Sequence, residues 1–566
     1  MSEPLGPGWA AKKPPPGGDP EKPPKPRRFW WRFLLAGTII VAVSAAATSI
    51  AVLNYFDDVA SAISPANKRV KSALDKVLAQ PESGKPQNFL LIGSDKRGGA
   101  EFAEEKGRSD TTILIRVDPG KELISMLSIP RDLQVELPGG GTGKFNEAYA
   151  YGGAKGTAEV VKSLTGLPIN HVINIDFLGF AQAVYAIGCV FTDVDRRYYH
   201  SNEGVPPSEQ YAEIDVQPGY QLMCGKQALD YVRYRHTDTD IVRSARQQDF
   251  LGFARQQVSP NDLAKNVIFD DDSLVDVFTE YTTSDISKGE EILDVMKLLI
   301  EARNSKLNEV HFPAELGPSF VYANQEEINE AVNQFLGVES ASGETVNRPG
   351  AEEQEQDKGK KKSKNKGKKE KAKKKKQKQK DKPVVETPPA GSDELVPAKE
   401  AGEAEAKIAA RRVHGRFPIF YPTRLPAGAY FVESNPYEKI SDPRVYWLRE
   451  GLGKDEPRHE AYRMVLVSEM SDGTHYFGLQ GIRGWPDPPI LDDPTETKEI
   501  NGREYEIFAD SGRIKLIAWH RGDNTYWISN DLLESLTNDQ MVGMARSAAV
   551  MVPKPKKQQK KGGSKE

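Results

Sequence analysis

A run of 24 residues without a charged side chain, Phe33 to Phe56, constrains this chain more than any other feature. At about 1.5 Å per helical residue it is long enough to cross a hydrocarbon core of about 30 Å. Trp30, Trp31, Tyr55 and Phe56 stand where interfacial aromatics belong. Lys12, Lys13, Lys22, Lys25, Arg27, Arg28 and Arg32 precede the run, and Asp57 and Asp58 follow it. The positive-inside rule then predicts a single-pass protein of the cytoplasmic membrane. Residues 1–32 form a disordered cytoplasmic tail, 33–56 the transmembrane helix, and the bulk of the chain lies outside. The length of the run, with Ala45, Ala46 and Ala47 in its middle, favours an uncleaved anchor over a signal peptide.

Charge divides the exterior part. Asp357 to Lys382 carries sixteen lysines against three acids, or +13 in a chain whose net charge is −4, so the remainder carries −17. Such a segment cannot bury a core, and residues 339–410 read as a Lys-rich disordered linker. It either binds anionic wall polymer or lipid headgroups, or is a solvated tether. Nucleic acid is excluded as a partner by the exterior topology. The linker separates two globular regions, 87–338 and 411–552. A stalk, 57–86, precedes the first, and a basic tail, 553–566, follows the second.

The second region is a small α+β domain of mostly antiparallel strands. YRMVLVSEM, HYFGLQGIR, REYEIFAD and RIKLIAWHRGDNTYWISN alternate as strands do, and LTNDQMVGMARSAAVM closes them as a helix with a Thr-Asn-Asp start. It offers no acid/base or metal constellation. Trp519, Tyr526 and Trp527 read as core rather than sugar platforms, so the domain reads as a binding or spacer module.

The first region alternates strands and helices, which indicates an α/β or α+β sandwich. NFLLIGSD is a buried-strand run. SDTTILIRVDP and ELISMLSIPRD follow, joined by the turn DPGK as a hairpin. GTAEVVKSLTG and FLGFAQAVYAIG read as helices, with INHVINIDF as a strand between them. Further helices are expected at Ser284–Arg303 and Gln325–Leu336, around the strand LNEVHFP. FLGFAQAVYAI is apolar nearly all round, as either a core helix or a groove lining would be. Cys189 and Cys224 are a disulfide or two buried thiols, and their spacing does not decide which.

Charged residues gather at the strand ends and in one Arg-rich stretch. Asp95, Lys96 and Arg97 follow the first strand; Arg108 and Asp110 open the second; Arg131 and Asp132 close the third. Lys144 and Asn146 stand in GTGKFNEAYAYGG, a Gly-rich loop able to present backbone N–H groups to an anion. Asp95 and Asp110 are of the right type to hold Mg²⁺, which takes carboxylates together with phosphate oxygens. Ala228 to Phe250 packs Arg233, Arg235, Arg243 and Arg246 around Asp238 and Asp240, and includes Gln247 and Gln248. The acids are N-cap candidates for a helix starting near Ile241, on which Arg243, Arg246 and Gln247 share a face. Either an anion sits at this helix start, or the acids pair with the arginines. His171, His200 and His236 lack metal-ligand spacing.

The order NFLLIGSDKR, GRSDTTILIRVD, SIPRD, KFNEAYAYGG, VINIDFLGFAQAVYAIGCV and GKQALDYVRYRHTDTDIVRSARQQ resembles the LytR-CpsA-Psr family over about Gln87 to Gly337. The resemblance implies an α-β-α sandwich with a central mixed sheet. It also implies a phosphotransferase that moves a glycopolymer from a polyprenyl-pyrophosphate carrier to a cell-wall acceptor such as peptidoglycan. Metal-binding acids would then be Asp95 and Asp110, with Mg²⁺ as cofactor. Arg131, Arg243 and Gln247 would bind the pyrophosphate, with Arg108, Arg233 and Arg235 as further contacts. Arg131, Arg243 and a carboxylate, Asp95 or Asp132, would carry the catalysis. A hydrolase using water as acceptor and a non-catalytic wall-polymer binding protein are the alternatives.

Overall fold

The computed structural model describes residues 71–94, 109–206, 210, 212–235, 237–258, 281–286, 288–302, 304–338, 394–432, 442–470, 473–510 and 512–553. The expected tail, the span at 33–56, Asp95, Arg108, His236, the Lys-rich run and the basic tail from residue 554 lie outside them. Among the described residues no helix is long and apolar enough to cross a membrane.

The first unit is built on a six-stranded mixed sheet. Its strands are β1 (Gln87–Ser94), β2 (Ser109–Asp118), β3 (Leu123–Ser128), β4 (His171–Asp176), β7 (Thr282–Ser284) and β8 (Lys306–Val310). Their spatial order is β7-β4-β1-β2-β3-β8. β1 runs parallel to β4 and antiparallel to β2, and β3 runs parallel to β8. The β2–β3 hairpin forms at the expected DPGK turn, where the Asp118 carboxylate accepts from the Lys121 N–H at 3.2 Å.

Both faces of the sheet are covered, which is why β1 reads as an unbroken apolar run. On one face Leu90, Ile92, Leu114 and Leu127 pack against α1 (Glu147–Thr165) and α6 (Gln325–Phe335). Truncating such a residue, as in Leu114→Ala, costs about 2–5 kcal/mol. On the other face Phe89, Val117 and Ile124 pack against α5 (Gly289–Glu301). α4 (Asp240–Gln257) also lies on the sheet: Gln248 donates to the Met126 and Val310 carbonyls at 3.4 and 3.2 Å.

Several expectations shift. The helix expected from Ser284 begins at Gly289, because Thr282–Ser284 instead pairs with β4 as an edge strand. The end of the stalk packs on the first unit: Leu74 and Val77 are buried, and the Ala79 N–H donates to the Ile169 carbonyl at 2.8 Å. The segment read as a Gly-rich loop is a short strand, Thr142–Lys144, followed by the start of α1. α2 (Phe177–Ala186) is not a wholly buried core helix; Leu178 and Tyr185 are half exposed. It packs on α3 (Gly225–Arg233) so closely that a Cβ at Gly225, where φ is +42°, would meet the Tyr185 ring at 2.0 Å. Cys189 and Cys224 form a disulfide. It lies beside β5 (Val190–Val194) and β6 (Gly219–Met223), which pair with each other.

The second unit begins at residue 395, not 411. Leu395–Pro397 forms a strand and α7 (Lys399–Arg412) a helix, with Gly402, Ala406 and Ala409 buried. Its Ala, Glu, Lys and Arg residues are good helix formers whose polar average imitates a linker. The main sheet comprises β9 (Ala429–Phe431), β10 (Arg444–Arg449), β11 (Arg458–Met470), β12 (Gly473–Ile482), β13 (Glu496–Ile500), β14 (Arg503–Asp510), β15 (Arg513–Arg521) and β16 (Asn524–Ser529). All the pairings are antiparallel, in the order β9-β11-β12-β16-β15-β14-β13, with β10 also on β11. One face, with Ile517, Trp519 and Tyr526, packs on α7 and α8 (Asn538–Ser547). The opposite face, with Leu516, Ala518 and Trp527, packs on Phe191 and Tyr220 of the first unit. The three aromatics are therefore core.

Candidate active site

The ends of β2 and β3 and the start of α4 converge. The Arg131 guanidinium donates to the Asp110 carboxylate at 2.8 Å. Its backbone N–H donates to Asp240 at 2.8 Å, and its Nε lies 3.7 Å from Asp132. Asp132 accepts from Lys144 at 2.9 Å. The Asn146 N–H donates to the Arg131 carbonyl at 3.0 Å, which ties the start of α1 to the same corner. Arg131, Asp132, Lys144, Asn146, Glu147 and Arg235 line a pocket of about 290 Å³.

α4 supplies the buried side of the site. Thr239 is its N-cap, accepting from the Val242 N–H at 3.3 Å, so the cap is neither of the two acids proposed from the sequence. Both acids are committed to guanidinium groups: Asp240 pairs with Arg243 and Arg131, and Asp238 with Arg246 and Arg196. Arg246 faces inward, donating to the Tyr231 and Tyr234 carbonyls at 3.0 and 2.9 Å. Gln247, one residue on, donates to the Thr111 hydroxyl at 2.8 Å and the Val232 carbonyl at 3.0 Å.

Electrostatics here is set by burial and crowded charge. Burial alone would lower Arg131, but Asp110, Asp240 and Asp132 outweigh it and hold it above its ordinary value. Burial holds Arg243 below its ordinary value despite Asp240, and the like charge of Arg131 adds to this. The Nε–H groups of Arg131 and Arg243 are both buried without a hydrogen-bond partner among the described residues. Arg131, Lys144 and Arg235 place three cationic side chains on the pocket wall, and Arg243 pairs with Asp240 beside Arg131, an arrangement that suits an anionic ligand.

Of the residues singled out from the sequence, Asp110, Arg131, Asp132, Arg243 and Gln247 come together, and Arg235 lines the pocket. Arg233 pairs with Asp230 on its own helix and lies over the Phe177 ring at 5.8 Å. Asp95 and Arg108 are outside the described residues. Thr111 and Glu147 escaped notice in the sequence, where nothing marks a hydroxyl inside a strand or an acid at a helix start as part of a site. Among the described residues no three His, Cys, Asp or Glu side chains cluster as a metal cage. Mg²⁺ does not require one, since one or two carboxylates and substrate phosphates suffice. Asp110 fits that role: it is partly exposed, and Ser109 pairs with Ser94, the residue before Asp95.

The teichoic acid transferase TagU of Halalkalibacterium halodurans is 38% identical over 169 residues, covering 29% of this chain and 51% of that protein. TagT of Bacillus subtilis is 31% identical over 166 residues, covering 29% and 50%. The chain thus spans about half the length of the curated relatives it matches. Among solved structures, B. subtilis TagV aligns with a TM-score of 0.37 at 24% identity, over 45% of this chain and 99% of that one. TagT with bound octaprenyl pyrophosphate lipid aligns with a TM-score of 0.34 at 22% identity, over 46% and 93%. The LytR_cpsA_psr family model matches residues 50–345, which is more than half of the sequence and contains every element of the site. The chain belongs to the LytR_cpsA_psr family.

Proposed function

We propose that this protein is a membrane-anchored phosphotransferase that moves a glycopolymer from a polyprenyl-pyrophosphate carrier to peptidoglycan outside the cytoplasmic membrane. The observation that carries the reading is the pocket lined by Arg131, Lys144 and Arg235 together with Asp132, at the corner where Arg243 pairs with Asp240. The names of the relatives, polyisoprenyl-teichoic acid–peptidoglycan teichoic acid transferases, support the substrate class.

Phosphoryl transfer needs positioning and charge neutralisation more than covalent help. The pyrophosphate enters the pocket beside Arg131, Arg235 and Lys144, and Arg243, buried against Asp240, adds positive charge at the same corner. An acceptor sugar hydroxyl attacks the sugar-linked phosphorus, forming a new P–O bond. The bond to the bridging oxygen breaks, and polyprenyl phosphate leaves with that electron pair. Asp132, which lines the pocket, takes the hydroxyl proton and passes it to solvent. Mg²⁺, held by Asp110 together with Asp95, would supply further neutralisation of the phosphate charge. The exposed apolar side of α2, with Leu178 and Tyr185, offers a path for the lipid tail.

The test is the full-length chain in detergent with Mg²⁺, a short polyprenyl-pyrophosphoryl sugar and peptidoglycan fragments, with products followed by mass. A sugar-phosphate adduct on the fragment, lost in an Arg131→Ala, Arg243→Ala double variant, is expected. Free polyprenyl phosphate without an adduct would replace transfer by hydrolysis. A reporter at Gly350 that reads cytoplasmic would overturn the topology.

A further inference from the structure

The second unit does not hang from the first as a spacer. It grips the helix that carries the site. α4 presents Arg243 and Gln247 in its first two turns and Asp249, Gln256 and Gln257 further along. Lys515, on β15 of the second unit, lies 3.2 Å from Asp249 and 2.6 Å from Glu309 on β8. Asp510 and Glu534, from the second unit, face the same ammonium at 4.0 and 3.7 Å. Gln256 donates to the Asp492 carbonyl at 3.1 Å. Gln257 holds both backbone groups of Phe191, a member of the core shared by the two units, at 2.7 Å each.

A second grip lies before the helix. Asp238 is claimed by Arg246 and by Arg196. The Arg196 guanidinium sits between two rings: Tyr198 of its own unit at 4.6 Å, and Tyr476, on β12 of the second unit, at 4.7 Å. Between these grips the Arg463 Nη1 donates to both oxygens of Asp193 at 3.0 and 3.1 Å, while the Trp527 indole N–H donates to the same carboxylate at 3.1 Å. Removing one member of such a buried pair strands the other.

We propose that Tyr476 and Lys515 are positioning residues for transfer, so that the second unit is part of the catalytic body and sets the placement of α4. Neither touches substrate. Tyr476 acts through Arg196 and Asp238 on the segment that leads into Asp240 and Arg243. Lys515 acts through Asp249, about one and two-thirds turns beyond Arg243 on the same helix. This rests on the proposed function for its catalytic readout, but the mechanical claim stands on the contacts themselves.

The experiment compares full-length wild type with Tyr476→Ala, Tyr476→Phe and Lys515→Met. It measures transfer kcat and KM, backbone hydrogen exchange over Asp240–Gln247, and the melting midpoint. Tyr476→Ala should lower kcat about tenfold or more with KM nearly unchanged, because misplacement of a catalytic group acts on the chemical step. Exchange should quicken at Asp240–Gln247 while the main sheet stays protected. Tyr476→Phe keeps the ring and should match wild type. Lys515→Met should quicken exchange along α4, and Lys515→Met with Asp249→Asn and Glu309→Gln should restore it. Wild-type exchange and kcat in Tyr476→Ala and Lys515→Met would overturn the proposal. So would losses that appear only with global unfolding and equally in Tyr476→Phe. If wild type transfers nothing, the proposed function falls, and the exchange comparison alone decides the positioning role.

Discussion

Arg131 and Asp240 meet twice: the Arg131 backbone N–H donates to one carboxylate oxygen at 2.8 Å, and the guanidinium Nε lies 3.6 Å from the other. One acid on a helix thus fixes both the main chain and the side chain of a residue 109 positions away. Asp240→Ala strands the Arg243 guanidinium and the Arg131 backbone N–H and should destabilise the fold by about 3–5 kcal/mol, as broken buried pairs do. Asp240→Asn keeps an acceptor for the N–H and should lose less. Denaturant unfolding of both variants checks the order.

Arg131 lines the pocket and donates to the Asp110 carboxylate at 2.8 Å. Arg131→Ala should slow transfer about 10²–10³-fold, the typical loss for one preorganised donor. Arg131→Lys keeps the charge without the planar fork, so it should recover only part of that rate. Single-turnover measurements with saturating lipid substrate separate this from binding.

Gln247 uses its amide N–H₂ on Thr111 and the Val232 carbonyl. Gln247→Glu turns that donor into a carboxylate facing a carbonyl and lying near the proposed pyrophosphate site. It should weaken binding of a polyprenyl-pyrophosphate analogue more than Gln247→Ala does. Titration calorimetry that finds the reverse order would remove Gln247 from the binding site.

The Cys189–Cys224 disulfide closes a loop of sequence separation 35. In the chain-entropy model it contributes about 3–4 kcal/mol. A Cys189→Ser, Cys224→Ser variant should unfold at lower denaturant concentration by that amount, and adding reductant should shift wild type the same way.

Burial raises the Glu309 carboxyl to about 8, against the pull of Lys515 and with Asp249 adding to the rise. Unfolded, a Glu titrates near ~4.3. The folded chain therefore binds this proton more tightly, and the stability it contributes is complete at acid pH and lost as pH climbs toward 8. Asp249 is raised by burial in the same sense, while Lys515, raised by its acids, stays charged throughout. Between pH 5.5 and 8.5 the melting midpoint should fall further in wild type than in Glu309→Gln. Equal slopes would refute the assignment.

The sequence by itself determined the local elements and the family. Apolar runs marked β1 to β3, a turn signal marked their hairpin, and ordered motifs identified the family model that matches. It also drew attention to Arg131, Arg243 and Gln247, because residue type and helical spacing are local properties. What it left open was which partner each charge takes. Arg243 and Arg246 look alike in sequence, yet one pairs with Asp240, which also holds Arg131, and the other donates to the Tyr231 and Tyr234 carbonyls. Only packing separates positions three residues apart on one helix. The boundary at 395 was hidden because a helix rich in Ala, Glu and Lys has the composition of a linker until its Gly402, Ala406 and Ala409 stripe meets a sheet. The union of the two units was likewise a tertiary decision. Arg463 and Asp193 are 270 residues apart, and no pattern along a chain specifies which buried carboxylate a buried guanidinium will find.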